Sequence, residues 1–249
     1  MYNDPMPETS YEIRRCESCG LRYPQVQGHS FGTRCPACLG DTRLVLRREL
    51  IPEPGPATRP KDRKSVSLLK KPEGDEEGGK RVAVLLDNIR SAWNVGSILR
   101  SADGFGFMHV YLCGITPAGD HEAVTKTSLG AEDSVPWSYH KDAVRLVRGL
   151  KAEGWKIYAL EEEPRALPLS AFLPSQLPAA AALIVGNEVT GVDPELLDLC
   201  DEIFFLPMSG EKKSFNVAIA FGMAAYALRH PQPESNKSAA LPGRKSRTR

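Results

Sequence analysis

From about Lys80 onward, short runs of mostly apolar residues alternate with stretches in which apolar residues recur every three or four positions. The short runs are rich in Val, Ile, Leu and Phe, as is typical of buried strands, and the longer stretches have the spacing of helices with one buried face. The strand candidates are RVAVLLD, HVYLCG, KIYALE, AALIVG and EIFFLP. The helix candidates cover residues 92–102, 122–128, 142–153, 194–199 and 214–228.

Strands that alternate with helices predict a mainly parallel sheet covered by helices on both faces, so the predicted fold class is α/β. In a sheet of this kind, ligands bind beyond the carboxyl ends of the strands. Chemistry is therefore expected in the loops that follow Leu86, Leu112, Val185 and Leu206.

Two segments lack this alternation. Residues 51–79 are rich in Pro, Gly and charge, which predicts a flexible linker. Residues 231–249 include the basic run KSAALPGRKSRTR, which predicts a disordered tail that either contacts phosphate or only keeps the protein soluble. We therefore predict four parts: a small module over residues 1–50, the linker, a main domain over residues 80–230, and the tail.

Composition and charge narrow the class of protein further. The 249 residues are 41% apolar and 25% charged, with a formal net charge of +1, which describes a soluble globular chain. A charge this close to neutral gives no overall signal for nucleic acid, so such a signal must come from local clusters. No apolar run approaches the roughly 20 residues of a membrane span, and the N-terminus lacks a hydrophobic signal core, so we expect a cytoplasmic protein that binds no membrane.

Four of the six cysteines form two CxxC pairs separated by fifteen residues. Each pair offers two thiolates from a tight turn, and this spacing predicts a zinc ribbon with a structural, tetrahedral zinc ion. Disulfides and redox chemistry fit less well with two pairs in a turn-rich segment of a cytoplasmic chain. His29 lies between the pairs and is expected to be a loop residue, because four sulfur atoms already fill the zinc shell. The predicted ligands are Cys16, Cys19, Cys35 and Cys38.

Arginines surround the two CxxC pairs. Their positive charge would suit contact with RNA phosphates. A module that contacts protein, or one that is purely structural, explains the same residues, so the alternatives stay open. The arginines are Arg14, Arg15, Arg22 and Arg34.

Three loops of the main domain combine glycines with polar side chains. The first, NVGSILRSADGFG, spans residues 94–106. Asn94 is expected to cap a helix, and Gly96 to allow close approach by another backbone or a ligand. Arg100 projects further along the helix, which Gly104 is expected to end. A helix cap and an unrelated surface arginine would account for these residues without a site.

The second loop lies in LIVGNEVTGVDPELL and the third in FFLPMSGEKKSFNVAIAFGMAAYAL. Two glycines around Glu188 would let the backbone approach a ligand and leave the carboxylate free to bind a cation or a hydroxyl group, although Gly-Asn is also an ordinary turn. In the third loop, Ser214 is expected to cap a helix whose many Ala and Gly residues allow very close packing.

Together the three loops resemble the signature motifs of the SpoU, or TrmH-like, branch of the SPOUT methyltransferases, in the same order and spacing. The matching pieces are NVGSILRSADGFG, LIVGNEVTGV and FLPMSGEKKSFNVAIA, and the resemblance extends over about residues 80–230. It implies an α/β fold with a deep trefoil knot, S-adenosylmethionine as cofactor, a homodimer, and methylation of a ribose 2'-hydroxyl group in RNA. Transfer RNA and ribosomal RNA stay open as substrates, with a slight preference for ribosomal RNA.

The resemblance also implies roles for individual residues. Arg100 matches the catalytic arginine of the family and Asn94 matches its companion. Three further residues match polar positions around the reacting ribose: Glu188, Ser214 and Asn216. The cofactor-binding positions are matched by Gly186, Leu206, Met208 and Phe215.

Two other functions are less consistent with the residues. A conventional nucleotide-binding α/β enzyme would need a GxGxxG turn after the first strand, and that turn is missing. A non-catalytic RNA-binding protein with a relic methyltransferase fold would not need Arg100, Glu188 and Asn216. Because a guanidinium group stays protonated in proteins, we expect Arg100 to bind the nascent alkoxide or a neighbouring phosphate, and no metal is needed for the chemistry.

Overall fold

The computed structural model describes residues 10–26, 32–49, 80–172, 177–212 and 214–230. The predicted linker, the predicted tail and His29 lie outside these residues. The strands are β1 (Ser10–Cys16), β2 (Arg22–Val26), β3 (Thr42–Glu49), β4 (Arg81–Asp87), β5 (His109–Cys113), β6 (Trp137–His140), β7 (Lys156–Leu160), β8 (Leu167–Pro168), β9 (Ala180–Val185) and β10 (Glu202–Phe205). The helices are α1 (Ala92–Gly104), α2 (Glu122–Ser128), α3 (Ala131–Ser134), α4 (Ala143–Ala152), α5 (Pro194–Leu199) and α6 (Val217–Arg229), and a 3₁₀ turn covers Leu169–Ala171. None of the helices in these described ranges has the length and apolar character needed to cross a membrane.

Strands β4 to β10 form one seven-stranded sheet in the order β6-β5-β4-β9-β7-β10-β8, and each pairing within it is parallel. The chain runs outward from β4 through β5 to β6, crosses to β7 on the other side, and later inserts β9 between β4 and β7. The direction of strand order therefore reverses between β4 and β9. This is the place where an α/β sheet opens a crevice for ligands.

Alternate side chains of β4 enter two separate cores, because successive residues of a strand point to opposite faces. Val82, Val84 and Leu86 pack on one face with buried residues of α1, α2, α3 and α6. Ala83 and Leu85 pack on the other face with α4 and α5. Helices thus cover both sides of the sheet, and the predicted α/β class with a parallel sheet is confirmed.

The sequence missed only short elements of the main sheet and its helices. All five strand candidates contain strands and all five helix candidates contain helices. The missed β6 has four residues of mixed polarity at an edge of the sheet, β8 has two residues, and α3 has four. Segments this short carry no apolar periodicity that could mark them.

Two predicted helix caps are wrong. Helix α1 is capped by Ser91, whose side chain accepts a hydrogen bond from the backbone N–H of Asn94. Asn94 therefore lies inside the first turn. Helix α6 is capped by Asn216 and begins at Val217, so Ser214 lies outside it. Several residues near each helix start have side chains that can cap, and tertiary contacts select among them.

Small residues allow close packing in two helices, although not at each predicted position. At Gly96 of α1, an added Cβ atom would lie 1.9 Å from Thr127 Oγ1 and 2.5 Å from a backbone carbonyl oxygen of α2. Ala224 and Ala225 of α6 are completely buried. A Cβ atom at Gly222, in contrast, would meet none of the described atoms within 4 Å. Close packing thus explains Gly96 and the two alanines, but not Gly222.

Residues 10–26 and 32–49, referred to as the cysteine module, form a three-stranded antiparallel sheet in the order β2-β1-β3. Its small apolar core includes Leu21 and Tyr23, and Ile115 of the main domain packs against that core. The backbone N–H of Arg22 donates a hydrogen bond of 2.9 Å to the carbonyl oxygen of Lys141. The module therefore packs against the carboxyl edge of the main sheet, beside the loops that follow β5 and β6.

Candidate functional site

The loops that follow β4, β5 and β9 meet at the carboxyl edge of the sheet. The side chain of Asn187, after β9, donates a hydrogen bond of 2.7 Å to the backbone carbonyl oxygen of Asn88, after β4. The Asn88 side chain accepts one of 3.1 Å from the backbone N–H of Ile115, after β5. Asn88 and Asn187 are both buried. These bonds join three loops where the sheet topology predicts a ligand site.

The loop after β9 is closed on itself. Asn187 and Gly191 exchange backbone hydrogen bonds of 3.1 and 2.9 Å. The Asn187 side chain also accepts hydrogen bonds from the backbone N–H groups of Val189 and Thr190, at 2.9 and 3.1 Å. Gly191 has a φ of 69°, a conformation that favours glycine. The segment GNEVTG is therefore a compact turn that carries Glu188 at the surface.

Gly186 and Glu161 fix this turn against the sheet. A Cβ atom at Gly186 would lie 2.3 Å from the backbone nitrogen of Val192 and 2.4 Å from the carbonyl carbon of Gly191. Glu161, after β7, accepts a hydrogen bond of 2.8 Å from the N–H of Val192, and burial raises the pKa of its carboxyl group. The sequence motifs do not include Glu161. Its position directly after the apolar run KIYAL was the available signal.

The Glu188 carboxylate is bonded within the protein. It accepts hydrogen bonds from the backbone N–H groups of Arg90 and Ser91, at 2.8 and 3.0 Å, and from the side-chain amide of Asn94 at 2.9 Å. These donors lie at the beginning of α1, where the helix dipole also favours negative charge. The expectation of a carboxylate free for a cation or a hydroxyl group is therefore corrected, because Glu188 joins the loop after β9 to the first turn of α1.

Asn94 extends this contact to the third loop. Its side-chain oxygen accepts a hydrogen bond of 3.0 Å from the side-chain amide of Asn216, the cap of α6. The hydrogen bonds thus connect Asn94, Glu188 and Asn216 in one continuous set, the polar row. Its members are separated along the chain by 94 and 122 residues. The structure therefore brings three of the five predicted catalytic residues together.

The other two predicted catalytic residues lie outside the polar row. Arg100 is exposed on α1, about 9 Å along the helix from Asn94. Within the described ranges it has no hydrogen-bond or ion-pair partner. Ser214 is exposed two residues before Asn216. Arg100 thus presents a cation that no described side chain neutralises.

The residues predicted to bind the cofactor lie at the same edge of the sheet. Gly186 is buried, Leu206 and Met208 are half-buried, and Phe215 is 36% exposed. A cavity of about 460 Å³ opens at the carboxyl ends of β7 and β10, and the residue before Leu206 is part of its wall. None of the four predicted cofactor residues lines this cavity, so its volume does not identify the cofactor site. The cavity is lined by Glu162, Glu163, Pro164, Ala166 and Phe205.

The four predicted zinc ligands converge in the cysteine module. Their Sγ atoms all lie within 4.8 Å of one another, with 3.5 Å between Cys16 and Cys38 and 3.7 Å between Cys19 and Cys35. Sulfur atoms bound at 2.3 Å to a tetrahedral zinc ion lie about 3.8 Å apart. A disulfide would need a distance near 2.05 Å. The donor set and its spacing therefore fit a zinc ion.

We expect the purified protein to carry about one zinc ion per chain. Replacing Cys35, which is completely buried, by Ser should lower the zinc content at least about twofold, because a neutral hydroxyl is a poor zinc ligand compared with a thiolate. Elemental analysis of the two proteins measures this. Cys200→Ser is the matched control, since Cys200 lies outside the cluster. Equal zinc content in Cys35→Ser and the wild type would contradict a four-thiolate site.

The model of the SpoU rRNA Methylase family matches residues 81–226, which is more than half of the chain and includes all three loops of the site. The chain belongs to the SpoU rRNA methylase family. The cysteine module precedes residues 81–226, so it lies outside the region in which this protein matches the SpoU family.

Two curated methyltransferases resemble the same part of this SpoU-family chain. The 23S rRNA (guanosine-2'-O-)-methyltransferase RlmB of Xylella fastidiosa is 31% identical over 152 residues, which are 61% of this chain and 59% of that protein. The 23S rRNA (guanosine(2553)-2'-O)-methyltransferase RlmP of Bacillus subtilis is 32% identical over 149 residues, which are 60% of this chain and 58% of that protein. The chain therefore spans a little under three fifths of the length of these relatives.

A solved structure of similar fold is the AdoMet-bound rRNA methyltransferase of Sinorhizobium meliloti. It aligns with a TM-score of 0.57 at 25% identity and covers 62% of this chain and 57% of that one. These findings confirm the resemblance stated from the three sequence motifs. The trefoil knot stays an implication of the SpoU family.

Proposed function

We propose that this SpoU-family protein transfers a methyl group from S-adenosylmethionine to a ribose 2'-hydroxyl group in RNA. The observation that carries the proposal is the polar row, in which Asn94, Glu188 and Asn216 come from three separate family motifs and meet at one edge of the sheet. The relatives RlmB and RlmP are both named as guanosine-2'-O-methyltransferases of 23S rRNA. Their names support a ribose acceptor and favour ribosomal RNA over transfer RNA.

Methyl transfer to a hydroxyl group has three requirements. The acceptor oxygen and the methyl donor must be held in line, the proton must leave, and the negative charge that develops on the oxygen must be stabilised. Arg100 supplies the cation that binds the nascent alkoxide or an adjacent phosphate, and the proton leaves through phosphate or water. The polar row orients the first turn of α1, the helix that carries Arg100. We propose that Ser214, which matches a polar position around the reacting ribose in the third motif, contributes to the ribose pocket.

When bound, S-adenosylmethionine supplies an electrophilic methyl group on a sulfonium centre. Gly186 would hold it with its backbone, because the absence of a side chain lets the turn after β9 fold tightly against the strand end. Three apolar side chains, of Leu206, Met208 and Phe215, would form the wall of the site. The zinc ion would stabilise the cysteine module, which is too small to bury a large apolar core.

Mass spectrometry of nucleosides tests the proposed reaction. Purified protein is incubated with S-adenosylmethionine and with either ribosomal or transfer RNA that lacks 2'-O-methylation, with heat-inactivated protein as the control. A new 2'-O-methyl nucleoside, expected in the ribosomal sample, would support the proposal. A protein that binds neither S-adenosylmethionine nor its demethylated product, as measured by calorimetry, would instead be a non-catalytic RNA-binding protein.

The cysteine module offers some of the predicted arginines to RNA. Arg14 and Arg22 are buried and bonded within the protein, so they are not available to phosphates. Strand β3 carries the exposed Arg43 and Arg48, which are not among the four predicted arginines. RNA contact through this strand is part of the proposal. Arg15 pairs with Asp142 of the main domain and is not assigned to RNA contact. The surface arginines proposed for RNA contact are Arg34, Arg43, Arg47 and Arg48.

Replacing Arg43 and Arg48 together by Ala should weaken RNA binding and reduce the slope of log affinity against log salt concentration by roughly two, because each phosphate contact releases about one counterion. Fluorescence titrations at several salt concentrations measure both quantities. Arg145→Ala removes an exposed arginine of α4 and should leave the slope unchanged. If the double variant keeps the wild-type slope, β3 does not contact RNA.

An apolar stripe on α6 supports the predicted homodimer. Ile219, Met223 and Tyr226 are 56%, 44% and 50% exposed, and their spacing of four and three residues places them on one face of the helix. Trp93, on the neighbouring helix α1, is 66% exposed. Exposed apolar side chains grouped in this way mark protein contacts. A second copy of this chain is the proposed partner, because the stripe lies on the helix of the third family motif and the resemblance implies a homodimer.

Met223→Lys should shift the protein from dimer to monomer at micromolar concentration, because it places a charge in the middle of an apolar contact. We expect dimer affinity to fall on the order of 10- to 100-fold, as measured by sedimentation velocity. Leu129→Lys is the matched control, since Leu129 is 67% exposed outside the stripe. A wild-type protein that sediments as a monomer would show that the homodimer proposal is wrong.

A further inference from the structure

A buried ion pair links the cysteine module to the main domain. Arg22 follows the first CxxC pair and donates to both carboxylate oxygens of Asp193, with distances of 2.6 Å from Nε to Oδ2 and 3.0 Å from Nη2 to Oδ1. The two side chains are only 7% and 3% exposed. Nη2 also lies 3.1 Å from the carboxylate of Glu195. A two-pronged contact of this kind fixes direction as well as distance.

Asp193 lies directly after the turn of the second motif. Its side chain caps α5 by accepting a hydrogen bond from the N–H of Glu195. Its own backbone N–H donates a hydrogen bond of 2.9 Å to the carboxylate of Asp87, the last residue of β4. Asp87 in turn accepts a hydrogen bond of 2.7 Å from the side chain of Asn88. Arg22 therefore contacts the point where the loops after β4 and β9 are joined.

The same two loops carry the polar row. The carbonyl oxygen of Asn88 accepts a hydrogen bond from Asn187, which closes the turn that bears Glu188. Glu188 then accepts hydrogen bonds from the two residues that precede α1 and from Asn94 in its first turn. From Arg22 to the polar row, the connection runs through residues that are each at most 5% exposed: Asp193, Asp87, Asn88 and Asn187. Water is excluded from these four residues, whereas the bonds that Glu188 itself makes lie at the surface.

Arg22 also compensates negative charge at this junction. Burial, and then the neighbouring Asp193, raise the pKa of the Asp87 carboxyl group to about 7, and Arg22 acts in the opposite direction. Without the guanidinium group, two buried carboxyl groups would share the junction with no cation. The pKa of Asp87 would then rise further, or the loops would separate.

We infer that Arg22 is a positioning residue for the proposed methyl transfer, which holds the loops after β4 and β9 in the arrangement that joins Asn94, Glu188 and Asn216. The inference rests on the proposed function of the site. The cysteine module lies outside the region shared with the SpoU family. Through Arg22 it would still affect the reaction, without contacting the substrate.

A second arginine of the module supplies a matched control. Arg15 lies 3.4 Å from Asp142 of the main domain, and its side chain is 38% exposed. Asp142 caps α4, which packs on the face of the sheet opposite α1. Arg15→Met therefore removes an ion pair between the module and the main domain without changing the junction of the two loops.

The test compares Arg22→Met with Arg15→Met in the full chain, after zinc content has been shown to match the wild type. Arg22→Met should lower kcat on the order of 10- to 100-fold, as for other residues that orient a site through a second residue, with a smaller change in KM for RNA. Hydrogen exchange should accelerate roughly tenfold at the amides of Arg90 and Ser91, which donate to Glu188. Arg15→Met should leave kcat and both amides unchanged.

Arg22→Met leaves Asp193 as an unpaired buried carboxylate, which could prevent folding. A second variant therefore removes that carboxylate as well. In Arg22→Met combined with Asp193→Asn, the amide oxygen still caps α5, and Asp87 is the one carboxyl group left buried at the junction. The same losses of kcat and of amide protection are expected. Wild-type values of both in either folded variant would overturn the inference. If the wild type itself methylates no RNA, the proposed function fails, and the exchange rates of the two amides still decide whether Arg22 positions the loops.

Discussion

Arg100→Ala should lower kcat for ribose methylation by roughly 100- to 1,000-fold, the loss typical of removing one group that stabilises charge in a transition state. The dissociation constant of S-adenosylmethionine should stay within about twofold of the wild type, because the cation acts on the acceptor oxygen and not on the bound cofactor. Arg100 is exposed and has no partner among the residues described, so its removal breaks no internal contact. Single-turnover methylation and calorimetry separate the two effects.

Arg145→Ala is the control for this prediction. Arg145 is also an exposed arginine on a helix, but α4 lies on the opposite face of the sheet from α1. We expect wild-type kcat in the control. Undiminished methylation by Arg100→Ala would remove Arg100 from the catalytic residues, whereas an equal loss in both variants would point to RNA binding by general positive charge.

Gly186→Ala should lower the affinity for S-adenosylmethionine at least about tenfold and destabilise the fold by about 1–3 kcal/mol. The reason is steric, since the new Cβ atom would lie 2.3 Å from the backbone nitrogen of Val192 and 2.4 Å from the carbonyl carbon of Gly191. Backbone atoms cannot rotate away as a side chain can, so the whole turn that carries Glu188 must shift. Chemical denaturation and calorimetry measure the two effects.

Gly149→Ala is the matched control. Gly149 lies within α4, and a Cβ atom there would meet none of the described atoms within 4 Å. Alanine is the better helix former, so the fold should gain up to about 1 kcal/mol while cofactor affinity stays unchanged. A Gly186→Ala variant that binds the cofactor as well as Gly149→Ala does would show that the turn after β9 is not part of the cofactor site.

The main elements of the sheet could be predicted because their signal is local. Runs such as RVAVLLD and AALIVG are buried on both sides in a parallel sheet, so they are apolar at almost every position. The loops of the site could be located for the same reason, since they follow those runs. A short strand such as β6 has no such signal, because it lies at an edge of the described sheet and its four residues are of mixed polarity.

The contacts of the polar residues could not be predicted, because their partners are distant in sequence. Asn94 and Ser91 both have side chains that can cap a helix, and the contact of Asn94 with Glu188, 94 residues away, leaves the cap to Ser91. Arg22 looks like a surface arginine beside a cysteine pair, yet its partner Asp193 is 171 residues away. Only the folded chain shows that Asn94 joins α1 to the loop after β9 and that Arg22 joins the cysteine module to the main domain.

The insertion of β9 between β4 and β7 determines when in folding the site can exist. Both neighbours of β9 precede it in the chain, so the sheet stays divided until this strand is in place. The contacts that complete it are non-local, and such contacts slow folding because a long loop must close before they form. During synthesis, the loop after β4 therefore emerges about a hundred residues before Asn187 and Glu188. Cofactor binding should accordingly be among the last properties the chain acquires as it folds.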